Sequence, residues 1–267
     1  MSAVRPAAVA GTFYPDAPGV LSAQVRAFLE EVPHALKPAR QPKALIVPHA
    51  GYVYSGPIAA AAYARLAEGI ERVRRVVLLG PAHRVPVRGL AVPTVDAFTT
   101  PLGDVEVDCA AVASALDLPQ VCRSDRAHAL EHSLEVQLPF LQTLLRSFRL
   151  VPFAVGDATA AEVAEVIDLL WGGPETLIVI SSDLSHYHAY AEAREIDQAS
   201  ARTVLELSPT LDYEHACGAL PINGLLTVAR RRGLHPELLD LRNSGDTAGD
   251  KFRVVGYASF VFSEAPA

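Results

Sequence analysis

The sequence predicts an α/β fold: a single three-layer α/β/α domain over residues 1–267, with a mixed, largely parallel central sheet. Three observations carry this reading. The apolar runs Ala44 to Val47, Val76 to Leu79 and Thr176 to Ile180 are continuous rather than alternating, as in strands buried on both faces of a parallel sheet. Strand and helix patterns alternate from end to end. No internal repeat or long low-complexity linker divides the chain, and 267 residues suit one large domain.

The elements follow in order. The first strand is expected over Lys43 to Val47, after a Pro-rich connector, KPARQP. Ser55 suits an N-cap and Pro57 the first turn of an Ala-rich helix running to Gly69. The second strand, Arg75 to Leu79, ends in Gly80-Pro81. A β-rich excursion follows, GLAVP and then FTTPLGDVEVD, in which Pro101 to Asp104 reads as a hairpin turn. His128 to Ser147 reads as one helix kinked at Pro139. Phe148 to Gly156 is a strand, Glu162 to Leu170 lies in a helix, and Thr176 begins the third histidine-bearing strand. A long helix is expected over Tyr190 to Leu207, and a shorter one, PINGLLTVARRRG, closes at Gly233. Glu237 to Asp246 reads as a strand entering a turn, and Val254 to Phe262 as the last strand.

Composition excludes several classes. Half of the residues are hydrophobic and a fifth are charged, which suits a well-formed core. The net charge of −7 argues against non-specific nucleic-acid binding, which relies on Lys and Arg contacts to phosphate. The run Arg72 to Arg75 leads straight into a strand and reads as a solvated helix end. No apolar stretch is long enough to span a bilayer, and no signal peptide is read at the N-terminus. Cys109, Cys122 and Cys217 are odd in number and widely spaced, so neither a disulfide framework nor a zinc ribbon is supported. A cytoplasmic protein with reduced thiols is expected.

The chemistry gathers at strand ends. ALIVPHAGY, VVLLGPAHR and TLIVISSDLSHYH each finish in a histidine. Ligands bind at the carboxyl ends of strands in open α/β sheets, so His49, His83 and His186 are predicted on one sheet edge. Imidazole is the commonest metal ligand and the usual acid/base near neutral pH, so their convergence points to a reactive or metal-binding site. Pro48 and Gly51 hold His49 at the mouth, where Tyr52 can line a pocket; for Tyr54, ordinary packing is the preferred reading. Arg84 can hold an anion or stay solvated. Asp183 and His186 are three apart, close enough for the carboxylate to orient the imidazole. Ser181 and Ser182 lack a nucleophile elbow.

Two further motifs compete for roles. His128, Glu131 and His132 spell H-x-x-E-H, the inverted zinc-protease motif, and on a helix the two histidines could share Zn²⁺ with Glu131 as base. The preferred reading puts Glu131 and His132 at the lip of the sheet-edge pocket, with His132 orienting substrate or moving a proton; capping of the helix is the structural alternative. In NSGDTAGD, Asp246 can supply the carboxylate that two histidines lack, giving the facial arrangement of non-haem Fe(II) sites, or it can simply close a turn.

Taken together, AVAGTFYP, VPHAGYVYSG, LLGPAHRV, FTTPLGDVEVD, EHSLEVQLPFLQ, VGD, SSDLSHY and SGDTAGD…VVGYASF resemble the MEMO family. Its bacterial and archaeal members are called AmmeMemoRadiSam system protein B. That family is similar to the class III extradiol dioxygenases of the LigB-like fold, which implies a mixed sheet between helices and a non-haem Fe(II) site. By this resemblance His49 and His83 match the metal-site histidines, and Asp183 and His186 the acid/base pair. Eukaryotic relatives place a cysteine in the last loop as third ligand. Here that place falls at Asp246 or Thr247, and Asp246 is the better ligand. A thiolate would favour copper, whereas a carboxylate favours iron, manganese or zinc; Fe(II) is expected, with Zn, Mn or Cu as alternatives. The family's name implies functional association with an AMMECR-type protein and a radical SAM protein.

Three functions are open at this point. One is a metal-dependent, dioxygenase-like oxidoreductase in which His49, His83 and Asp246 hold the metal, His186 and Asp183 move a proton, and His132 orients substrate beside Tyr52, Glu131 and Arg84. A second is a non-catalytic module that binds a peptide or small anion with the same histidines. The third is a zinc hydrolase built on His128 and His132.

Overall fold

In a computed structural model, residues 3–33, 41–66 and 69–264 are described. The chain runs through Val4–Arg5 (β1), Pro18–Glu31 (α1), Ala44–Val47 (β2), Tyr52–Tyr63 (α2), Arg75–Pro81 (β3) and Leu90–Val92 (β4). Next come Ala97–Thr100 (β5), Gly103–Glu106 (β6), Cys109–Ala115 (α3), Val121–Arg123 (β7), Asp125–Ala129 (α4), Leu138–Leu144 (α5) and Arg149–Val155 (β8). Ala160–Leu169 (α6), Thr176–Ser181 (β9), His186–His188 (β10), Tyr190–Leu205 (α7), Ala219–Arg232 (α8), His235–Asn243 (β11) and Val254–Ser263 (β12) complete it.

The main sheet has the order β10-β12-β2-β9-β3-β8-β4-β7, with β11 also paired to β12. Its centre, β2-β9-β3-β8, is parallel throughout. On its flanks β12 runs antiparallel to β2, and β4 antiparallel to β8, so the sheet is mixed around a parallel core. The continuous apolar runs are explained by burial: β2 and β9 are buried at every position, and β3 and β8 at all but their first. Helix α2 packs on β2 and β12 and against α1 and α5, while α8 lies on β3 and β9 and carries α6, giving three layers. Gly224 lets α8 approach α6 closely, since a Cβ there would meet Val163 Cγ1 at 2.3 Å.

The hairpin turn forms as predicted, with Pro101 and Leu102 linking paired Thr100 and Gly103. It belongs to a separate small sheet, β1-β5-β6, which the sequence pattern did not show.

Two expected helices are changed. The stretch His128 to Ser147 is not one kinked helix. Helix α4 stops at Ala129, a 3-10 turn spans Glu135–Gln137, and α5 begins at Leu138 with Pro139 in its first turn. Proline's fixed φ and missing N–H suit a helix start better than an interior position. Helix α2 begins at Tyr52, three residues before the expected Ser55 cap; Ser55 instead donates to the Ala50 carbonyl at 2.8 Å, and Pro57 lies inside the helix. Its expected continuation through 67–68, and residues 37–40 of the KPARQP connector, lie outside the described residues.

Candidate metal centre

Three of the central parallel strands end side by side at the site. After β2 comes His49, after β9 come Ser182 and Asp183, and after β3 comes His83; β9 lies between the other two. Beside them the loop after α4 brings in His132. The imidazole rings of His49, His83 and His132 lie with centroids 4.8 to 5.4 Å apart. Each ring offers a nitrogen within 4.8 Å of the others, a spacing that can hold one metal ion.

The protein sets the state of each ring. Ser181 Oγ donates to the Ser133 carbonyl (2.6 Å) and accepts from Gln137 Nε2 (2.8 Å). Its contact with His49 Nδ1, at 2.9 Å, is therefore one in which Nδ1–H donates, leaving Nε2 with a lone pair. Burial drives His49 well below the usual histidine range, with the neighbouring histidines adding to the effect. Burial likewise lowers His132 to about 4. Neutral imidazoles are the form that binds metals. His132 Nδ1 is buried and makes no hydrogen bond among the described residues; the Glu131 carboxylate that also contacts His83 Nδ1 lies 3.4 Å from it. The donor set thus fits a divalent metal.

Glu131 is the clamp on His83. One carboxylate oxygen accepts from the His83 backbone N–H (2.6 Å), and the other contacts His83 Nδ1 at 2.9 Å and accepts from Ser133 N–H. Burial pushes this carboxyl up, but the His83 hydrogen bond and charge outweigh it and hold the group at about 2. A carboxylate on the rear nitrogen fixes the imidazole's tautomer and raises its basicity. Glu131→Gln is therefore expected to lower metal affinity about 10- to 100-fold with little change in fold. A metal titration that gives wild-type affinity for the variant would refute this role.

The geometry reassigns several predicted residues. Asp246 is not beside the histidines. It closes the turn after β11, accepting from Tyr190 Oη and the Asn243 backbone N–H, and the third position beside His49 and His83 belongs to His132. Asp183 does not orient His186; its Oδ1 accepts from the backbone N–H groups of His49 (2.7 Å) and Ala50 (3.3 Å), so it holds the chain that carries His49. Burial raises this carboxyl to about 7 against those two donors. His186 lines the cavity with His132 and Asp183, lowered by burial first, with the Leu184 backbone pulling the other way.

The tyrosines exchange places. Tyr52 is core, packed on Phe140 and donating to the Val136 carbonyl, whereas Tyr54 lines the cavity. Arg84 is exposed and outside the cavity wall, acting on His132 only through its charge. Glu131 binds His83 rather than facing a substrate. The H-x-x-E-H pairing is also undone. With α4 ending at Ala129, His128 turns away to bond the Ala91 carbonyl through Nε2 (2.9 Å). No second zinc group forms there among the described residues.

Cys217 is a neighbour that sequence reasoning missed. Its Sγ lies 3.3 Å from His49 Nε2, and the only foretaste was its place just before α8. Burial pushes its thiol up, away from the thiolate, and it does not line the cavity.

A cavity of about 640 Å³ opens over the centre. Its inner wall holds His132, Asp183 and His186. Phe13, Tyr54, Tyr187 and Tyr257 supply aromatic sides, and the loop after β11 closes it with Ser244, Ala248, Gly249 and Asp250.

With this geometry in hand, comparison with known proteins is informative. A family model described as "Memo-like protein" matches residues 5–261. Among curated relatives, a MEMO1 family protein of Sulfolobus acidocaldarius is 36% identical over 289 residues, covering 98% of this chain and 100% of that protein. One of Aquifex aeolicus is 38% identical over 275 residues, covering 97% and 99%. One of Methanosarcina barkeri is 36% identical over 272 residues.

Proposed function

Because the chain belongs to the Memo-like protein family, we propose that it is a metal-dependent, dioxygenase-like oxidoreductase whose non-haem centre is held by His49, His83 and His132. The observation that carries this reading is the convergence of three imidazoles, fixed from behind by Ser181 and Glu131, at the carboxyl edge of the parallel sheet. A metal bound there supplies a Lewis-acid or one-electron centre with positions open to substrate.

The chain's own residues supply the rest. Asp183 keeps the His49 backbone in place, and the Ser133–Ser181–Gln137 hydrogen bonds keep its ring turned. His186, neutral because it is buried, takes up a proton at its ring nitrogen facing the cavity. The aromatic walls exclude water from a substrate lying between them.

Fe(II) is the proposed ion. An all-imidazole set with an open position is also a ligand set of catalytic zinc, so zinc is the second reading. Action beside AMMECR-type and radical SAM proteins is part of the same proposal, on the strength of family resemblance alone.

Elemental mass spectrometry on protein purified anaerobically, beside His49→Ala, tests it. Near-stoichiometric iron that disappears in the variant supports the oxidoreductase. Zinc would favour a Lewis-acid role. Protein that neither carries metal nor takes up Fe(II) would leave a non-catalytic peptide- or anion-binding module.

A further inference from the structure

The outer part of the cavity carries a feature that the metal centre does not use. Strand β10 pairs with β12 through His186↔Val255 and His188↔Val254, so Tyr187 is an extra residue bulged out of register. Its φ is +64°, a left-handed conformation rare for a bulky side chain. Bulges beside sites re-aim side chains, and this one turns the Tyr187 ring, 63% exposed, to the cavity rim. There it carries the Arg253 guanidinium, 5.1 Å from the ring centroid. Among the described residues that guanidinium makes no ion pair. The nearby Asp250 is turned to its own loop, where Oδ1 accepts from the backbone N–H groups of Phe252 and Arg253.

A strained tyrosine that steadies an unpaired arginine over a cavity lined by His132 offers an anion contact at its rim. The other walls, Phe13, Tyr54 and Tyr257, suit a flat, largely apolar body. A single cation, with Asp183 and Asp250 nearby, matches one carboxylate better than a phosphate dianion.

We propose that the cavity takes a planar organic acid whose reacting end faces the histidines and whose carboxylate is held at the rim by Arg253 on Tyr187. This rests on the metal-centre reading, and its test separates the two. Benzohydroxamate chelates divalent metals through its head group; 4-carboxybenzohydroxamate adds a distal carboxylate. On metal-loaded wild-type protein, calorimetry should show the carboxylated probe binding about tenfold more tightly, as one charge-assisted contact gives. In Arg253→Gln the two probes should bind alike, with metal content unchanged. Equal affinities in the wild type, or a preference that survives in Arg253→Gln, would overturn the proposal. If the protein takes up no metal, the metal-centre reading fails, and benzoate against benzamide then reads the arginine alone. A preference for benzoate that Arg253→Gln removes keeps the acid-binding inference; no preference ends it.

Discussion

Replacing His132 with alanine is expected to abolish stoichiometric metal binding, while replacing Asp246 with alanine leaves it intact. His132 brings a nitrogen within 4.8 Å of those of His49 and His83, and the Glu131 carboxylate lies 3.4 Å from its Nδ1. Losing one of three ligands removes most of the binding energy of a small site and leaves water in its place. Asp246 instead caps a turn through Tyr190 and Asn243, so its loss costs only local order, about 1 kcal/mol. Metal content of the two purified variants, followed by titration with the metal found in the wild type, decides the matter. Metal retained by His132→Ala, or lost from Asp246→Ala, would return the carboxylate to the ligand set.

The second large effect is expected from Arg5, which does not itself line the cavity. Arg5 is 4% exposed and pairs with fully buried Glu135 at 2.6 Å. Its Nε and second terminal nitrogen donate to the carbonyls of His128 and Glu131, both at 2.7 Å. Glu135 also accepts from Ala8 N–H, Val9 N–H and Tyr14 Oη, so one ion pair fastens the N-terminal segment to the loop that bears Glu131 and His132. Arg5→Ala would leave a buried carboxylate without its cation and the Glu131 carbonyl without the donor Arg5 gives it, while the His128 carbonyl keeps the Glu131 backbone N–H. Breaking such a pair costs about 3–5 kcal/mol, which for a chain of this size lowers Tm by on the order of 10 °C. Metal affinity should fall in the surviving folded protein, because the carbonyls at 128 and 131 no longer anchor the loop. Calorimetric unfolding within about 2 °C of wild type would show that the pair is dispensable. Arg5→Lys should recover part of the stability but less of the metal affinity, since an ammonium cannot span both carbonyls and the carboxylate with a fixed fork.

Much of this was legible in the residues. Continuous apolar runs marked β2, β3 and β9 because strands buried on both faces need no polar side, and their ends placed His49 and His83 correctly. The third nitrogen was harder. His132 sits on a loop whose path is set by Arg5 and Glu135, contacts more than a hundred residues apart that no local pattern records. Asp246 had the right chemistry for a ligand, but only the fold shows its oxygens committed to Tyr190 and Asn243. Tyr52 and Tyr54 were exchanged because α2 starts at Tyr52, and residues two apart on a helix face nearly opposite ways. The bulge at Tyr187 left no mark at all, since a bulge is a property of pairing with β12 rather than of its own sequence.

The position of β12 carries a consequence for biosynthesis. It is the last strand of the described chain, yet it lies inside the sheet, where Leu45 of β2 pairs with Val261 and Ile46 with Phe260. It also supplies Val255 and Tyr257 to the cavity. A nascent chain therefore displays His49, His83 and His132 long before it owns the wall that encloses them. Contacts this distant form late, after slow loop closure. Until then the histidines belong to an open half-sheet, and a metal ion that met them would meet solvent on the other side. Enclosure arrives only once β12 has been made, so the order in which these strands are synthesised keeps the histidines unshielded until that strand joins the sheet.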